Sequence, residues 1–224
     1  MDHMLHHRLP SFCNWATGES TKSNQLRPLL IQLVAEPKLH AQFLNTLSFM
    51  ELCGAEKLAR LQQFMPASTF WLEHVAEEYR HAFFLRSLAG RLHHHFDAYT
   101  KENALAYSAS KNYIGRIDSS LCRLLKKNGL LSPKHAYVLA TLVIELRALP
   151  FYRSYQEVLD IHAIGISVKS IISEEEHHLK EIQSMLEQLQ LPLALMEEAE
   201  RIEQALYQQW LHRLNLALRR ATPE

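Results

Sequence analysis

Glycine is scarce in this chain: six residues among 224, alongside eight prolines. That leaves few places for the tight positive-φ turns on which hairpin-rich β-folds depend, and few runs alternate apolar and polar residues as strands do. Cysteine is scarcer still. Cys13, Cys53 and Cys122 are odd in number and far apart, and no CxxC pair occurs. This argues against a disulfide framework, a structural zinc site and a rubredoxin-type iron, and leads us to expect reduced thiols in a cytoplasmic protein. Net charge is also missing, with 24 Lys and Arg against 24 Asp and Glu, so no bulk field draws nucleic acid or a membrane surface. No run of about 18 uncharged apolar residues exists, so no membrane span is expected. Residues 1–15 carry His and Arg without a continuous apolar stretch, and a signal peptide is not expected.

What the chain does have is apolar residues recurring at three and four, which predicts an all-α protein. Its length suits one domain, residues 1–224. Residues 1–27 read as an irregular arm, with a short helix over 28–35. Pro37 opens a long helix to about residue 64. A turn over 65–69, with Ser68 or Thr69 as cap, leads into a helix to about residue 95. A middle helix over 102–127 stops at Asn128-Gly129. Ser132-Pro133 starts the next, which runs to about 159 with a kink expected at Pro150. A break over 159–165 follows, then a helix capped by Ser167 to about 190, and a C-terminal helix over 193–220.

Two segments read as one device used twice: Glu77-Glu78-Tyr79-Arg80-His81 and Glu174-Glu175-Glu176-His177-His178. Each offers a Glu and a His three residues apart, on one face of a helix. One more carboxylate in an apolar helical run precedes each, Glu51 and Glu145. At about 100° per residue, Glu51 shares its face with Leu44, Leu47, Ala55 and Leu58. Glu78 lies with Trp71, Val75, Ala82 and Leu85, Glu145 with Val138, Leu142 and Leu149, and Glu175 with Val168, Ile171 and Ile182. All four are therefore expected to point into the core. The same test sets the register. Glu174 would share a face with Ser167, Ser170 and Glu181, so Glu175 pairs with His178, and Glu174, Glu176 and His177 face solvent. Likewise Glu78, not Glu77, pairs with His81.

Depth agrees. The midpoint of Glu51 and Glu78 falls beside the 65–69 turn, and that of Glu145 and Glu175 inside the 159–165 break. Each hairpin thus brings its own carboxylates level. Burying four carboxylates close together is very unfavourable unless cations neutralise them, and two divalent ions close the charge sum. Carboxylate and imidazole without thiolate suits iron or manganese.

With Glu51, Glu78, His81, Glu145, Glu175 and His178 in place, the chain resembles the ferritin-like di-iron carboxylate superfamily over residues 37–190. The short Glu-to-Glu spacings are most similar to those of the compact aldehyde-deformylating oxygenases. The resemblance implies a four-helix bundle made of two hairpins, with a middle crossover helix and a C-terminal helix added. It also implies two iron ions, with manganese or a mixed pair as alternatives. Glu78 and Glu175 would bridge them, Glu51 and Glu145 would be terminal ligands, and His81 and His178 would each bind one ion. Such a centre would activate O2 for the oxidation of a small or lipophilic organic molecule, with electrons from an external donor. Iron or peroxide handling, as in ferritins and rubrerythrins, and a metal-free binding bundle are the alternatives. A homodimer is compatible with all three.

Around these six, His74 shares the face of Glu78 and reads as a capping or supporting imidazole, with a third imidazole ligand as the alternative. Tyr152 and Thr141 read as ordinary core residues beside Glu145. Arg80 and Arg147 flank ligands and either pair with nearby acids or are solvated. His93-His94-His95 and His6-His7 read as exposed clusters, and Cys53 lies on the wrong face to be a ligand.

Overall fold

The computed structural model describes residues 23–64, 69–93 and 98–221. Among them every regular element is an α-helix. In chain order these are α1 (Ser23–Ala35), α2 (Pro37–Gln62), α3 (Thr69–Leu92), α4 (Tyr107–Lys127), α5 (Pro133–Ile161), α6 (Lys169–Leu189) and α7 (Leu193–Ala221). Residues 1–22 of the expected arm, with Cys13 and His6-His7, and also the cap at Ser68 and His94-His95 lie outside the described residues. No described helix is long and apolar enough to cross a membrane.

The chain divides into two compact units. One is built on Leu29–Ile117 with the second half of α7 from Leu206, the other on Asp118–Ala205. In the first, α2 and α3 pack along each other; in the second, α5 packs on α6.

Helix ends follow local chemistry. Pro37 sits at the start of α2, where a missing N–H costs nothing, and the Glu36 carboxylate accepts from Lys38 N at 3.1 Å and Leu39 N at 2.6 Å. The Ser132 hydroxyl accepts from His135 N at 3.1 Å, opening α5 at Pro133. Gly129, with φ +69°, ends α4: Leu130 N donates to Leu125 O at 2.9 Å, closing the reversed turn that only a left-handed residue allows. Pro150 lies within α5, which continues to Ile161.

Three boundaries differ from expectation. Helix α1 begins at Ser23 rather than residue 28, because Leu26 joins Leu29, Leu30 and Leu33 on one buried face. Helix α4 begins at Tyr107 rather than residue 102. Here side chains of α2 take the backbone carbonyls that an earlier start would need: Gln42 Nε2 donates to Glu102 O at 2.7 Å, Asn45 Nδ2 to Asn103 O at 2.9 Å, and Thr46 Oγ1 to Leu105 O at 2.8 Å. Helix α6 begins one residue later than a Ser167 cap implies. Gln156 of α5 accepts from Val168 N at 2.7 Å, and the Ser167 hydroxyl turns to the same oxygen.

Candidate metal centre

In the first unit, one face of α3 carries His74, Glu78 and His81 at helical spacing, and all three are buried with Trp71, Ala82 and Leu85. Glu78 is 6% exposed and His81 2%. Its neighbour Glu77 is half-buried and accepts from the exposed Arg80 at 3.2 Å. From α2, Glu51 joins the group: Glu51, Glu78 and His81 each offer one ligand atom, and these lie within 4.8 Å of one another. Gly54, one turn beyond Glu51, keeps α2 bare at this point. A Cβ there would stand 3.5 Å from Glu78 Oε2, an ordinary contact distance. His74 Nε2 lies 3.3 Å from Glu78 Oε1 and is itself 1% exposed.

Glu51 departs from expectation in degree, being half-buried where Glu78 is buried. Burial thins along α2 after Phe49, and of the residues that follow in this helix only Ala55 is fully buried.

In the second unit, Glu145 of α5 and Glu175 and His178 of α6 are 3%, 1% and 1% exposed. His178 Nδ1 stands 3.3 Å from Glu175 Oε2 and 3.5 Å from Glu145 Oε1. Burial alone would disfavour charge on this imidazole, but hydrogen bonds to Glu145 and Glu175 and their negative charges outweigh it. The side chain is pushed up to about 12. His177, the next residue, is exposed, and Glu176 pairs at the surface with Arg153 at 2.8 Å.

Buried His and Glu groups that can hold a metal ion are thus present, a carboxylate and an imidazole three residues apart in each unit, with a further carboxylate supplied from the helix alongside. The donors fit iron or manganese in kind: carboxylate oxygens and imidazole nitrogens, with no thiolate among the residues of these groups. Cys53 is half-buried, its thiol raised by burial and by Glu56 against an opposing effect of Lys111.

Other expectations sort by partner. Thr141 and Tyr152 are buried on α5. Arg147 is not solvated: Nε donates to Glu203 Oε1 at 2.8 Å and Nη2 to Oε2 at 2.6 Å, with a further bond to Gln204 Oε1. Glu203 is 2% exposed, and sequence reading missed it. The signal was there, since Glu203 shares its α7 face with Ala199, Leu206 and Trp210, all buried. His40 was also missed; it is 1% exposed, and burial lowers it to about 4.

No protein-family model, no curated protein and no solved structure matches the chain.

Proposed function

We propose that this chain is a di-iron carboxylate protein of ferritin-like architecture, a cytoplasmic oxidase or oxygenase that uses O2 on a small or lipophilic organic substrate. The observation that supports it most is the burial, in each unit, of a Glu-x-x-His pair with a second carboxylate beside it. In this proposal the six side chains act as one centre. Glu51, Glu78, His81, Glu145, Glu175 and His178 are its ligands. Bound iron supplies the redox chemistry that amino acids lack, and electrons come from an external donor.

The chain's own residues supply the rest. Carboxylates neutralise cationic charge where water is excluded, and imidazoles add neutral donors that set the coordination number. His74, 3.3 Å from Glu78, is placed to orient that carboxylate.

Metal content per chain, measured on purified wild-type protein and on Glu78→Ala, His178→Ala and Glu174→Ala, tests this. We expect two metal ions in the wild type and in Glu174→Ala, and loss in the other two. Equal content in all three variants refutes the assignment. A single centre also predicts that Glu78→Ala removes both ions. Retention of one ion in Glu78→Ala would instead mean two independent mononuclear sites.

A further inference from the structure

Wholly within the first unit, and lined by none of the six candidate ligands, lies a cavity of about 520 Å³. Its walls are the segment leading into α4, the first half of α4, and the second half of α7. Four cations line it: Lys101, Arg116, Arg213 and Arg220. No Asp or Glu is among its lining residues, so it carries a formal charge of four against a chain whose net charge is zero. The volume is that of a small-molecule site.

The cations are arranged by helical spacing. Gln209, Arg213 and Arg220 recur along one face of α7, and Arg116 answers them from α4, donating to Gln209 Oε1 at 2.8 Å. All four are exposed, whereas the floor is buried and aromatic. Trp210 and Tyr113 are 3% and 6% exposed, with ring centroids 6.0 Å apart. Trp210 is fixed in place, its indole N–H donating to Ser110 Oγ at 2.9 Å. Basic residues in the last turn of a helix are commonplace, since they offset its dipole, and Arg220 alone would mean no more than that. Arg116 and Arg213 stand outside any last turn, so the dipole does not account for them.

We propose that this cavity binds a small organic phosphate, its phosphate held by the guanidinium groups of Arg116 and Arg213 and its apolar or ring portion on the Trp210–Tyr113 floor. Guanidinium forks match phosphate oxygens in pairs, and an excess of four cations fits a dianion better than a single carboxylate. A concave site of this size, rather than a basic stripe, favours a small ligand over a nucleic acid backbone.

Calorimetric titration of the full chain tests this with phenyl phosphate, inorganic phosphate, phenyl glucoside and vesicles containing phosphatidylglycerol. The expected result is saturable binding of one phenyl phosphate per chain, tighter than inorganic phosphate, with none for phenyl glucoside. Arg213→Gln is expected to weaken it about tenfold, the loss of one charge-assisted bond, and Arg213→Lys by less. Binding should also weaken as salt rises. Circular dichroism and metal content should match wild type in both variants, because Arg213 is exposed and apart from the six ligands. The proposal is overturned by the absence of saturable phenyl phosphate binding or by unchanged affinity in Arg213→Gln. Binding of the vesicles alone also overturns it, because the face would then recognise a lipid headgroup at a membrane.

Discussion

The pair formed by Arg147 and Glu203 separates the worth of a charge contact from the cost of breaking it. Arg147 Nη2 to Glu203 Oε2 is 2.6 Å, and Arg153 Nη2 to Glu176 Oε1 is 2.8 Å. By distance these pairs are equals. By burial they are not: the Arg147 and Glu203 side chains are 13% and 3% exposed, those of Arg153 and Glu176 45% and 42%. Replacing Arg147 by Met leaves a carboxylate stranded away from water, which costs about 3–5 kcal/mol. Replacing Arg153 by Met leaves Glu176 hydrated, and the expected loss is below about 1 kcal/mol. If the large penalty is the stranded charge, Arg147→Met/Glu203→Leu should recover most of it, to within about 1–2 kcal/mol of wild type. Urea denaturation followed by far-ultraviolet circular dichroism measures these three variants against wild type. An Arg147→Met loss no larger than that of Arg153→Met would refute the reasoning. So would a double variant no more stable than the single.

His40 gives a pH signature. Its folded-state value of about 4 lies below the ordinary 6.5, so the unfolded chain binds the extra proton between those values. Stability is therefore full above pH 6.5 and falls as pH drops towards 4, by about 3 kcal/mol. The wild-type minus His40→Gln stability difference, followed by urea titration across that window, should fall by this amount as pH drops, and a parallel pair of curves would refute it. Gly54→Ala removes a helix-interior glycine where a Cβ meets only Glu78 Oε2 at 3.5 Å. A gain of about 0.5–1 kcal/mol with unchanged metal content is expected. If the two proposed ions are each present at about a hundred times their dissociation constant, chelation should lower the thermal midpoint by about 10–20 °C. An unchanged midpoint after verified metal removal would show that the ions do not support the folded state.

Legibility in the sequence tracked the range of the interaction. Pro37, Ser132-Pro133, Gly129 and Pro192 punctuate helices through chemistry within a turn of themselves, and α2, α4, α5 and α7 start or stop beside them. The start of α4 is set instead by Gln42, Asn45 and Thr46 of α2, some sixty residues away, which no local pattern records. The start of α6 depends on Gln156 in the same way. At the candidate site, facial periodicity separated Glu78 from Glu77 and His178 from His177, because a helix turns each residue by a fixed angle. It did not foresee the half-exposure of Glu51. That depends on where the packing around α2 thins, a property of its neighbours rather than of α2.

The choice of partner for each buried acid carries the functional argument furthest. Where this protein buries a carboxylate within packed structure, as at Glu203, it provides arginine, which holds its charge at any physiological pH and binds no metal. Glu78 is given His74, and Glu145 and Glu175 are given His178. An imidazole neutralises a carboxylate only while it carries a proton, and Glu145 and Glu175 favour that proton on His178. It has one property arginine lacks: having given up that proton, it becomes a ligand. Carboxylates supplied with imidazoles form an environment that could exchange a proton for a metal cation. The same chain thus answers one electrostatic problem in two ways, and only the His/Glu solution leaves donor atoms for a metal ion.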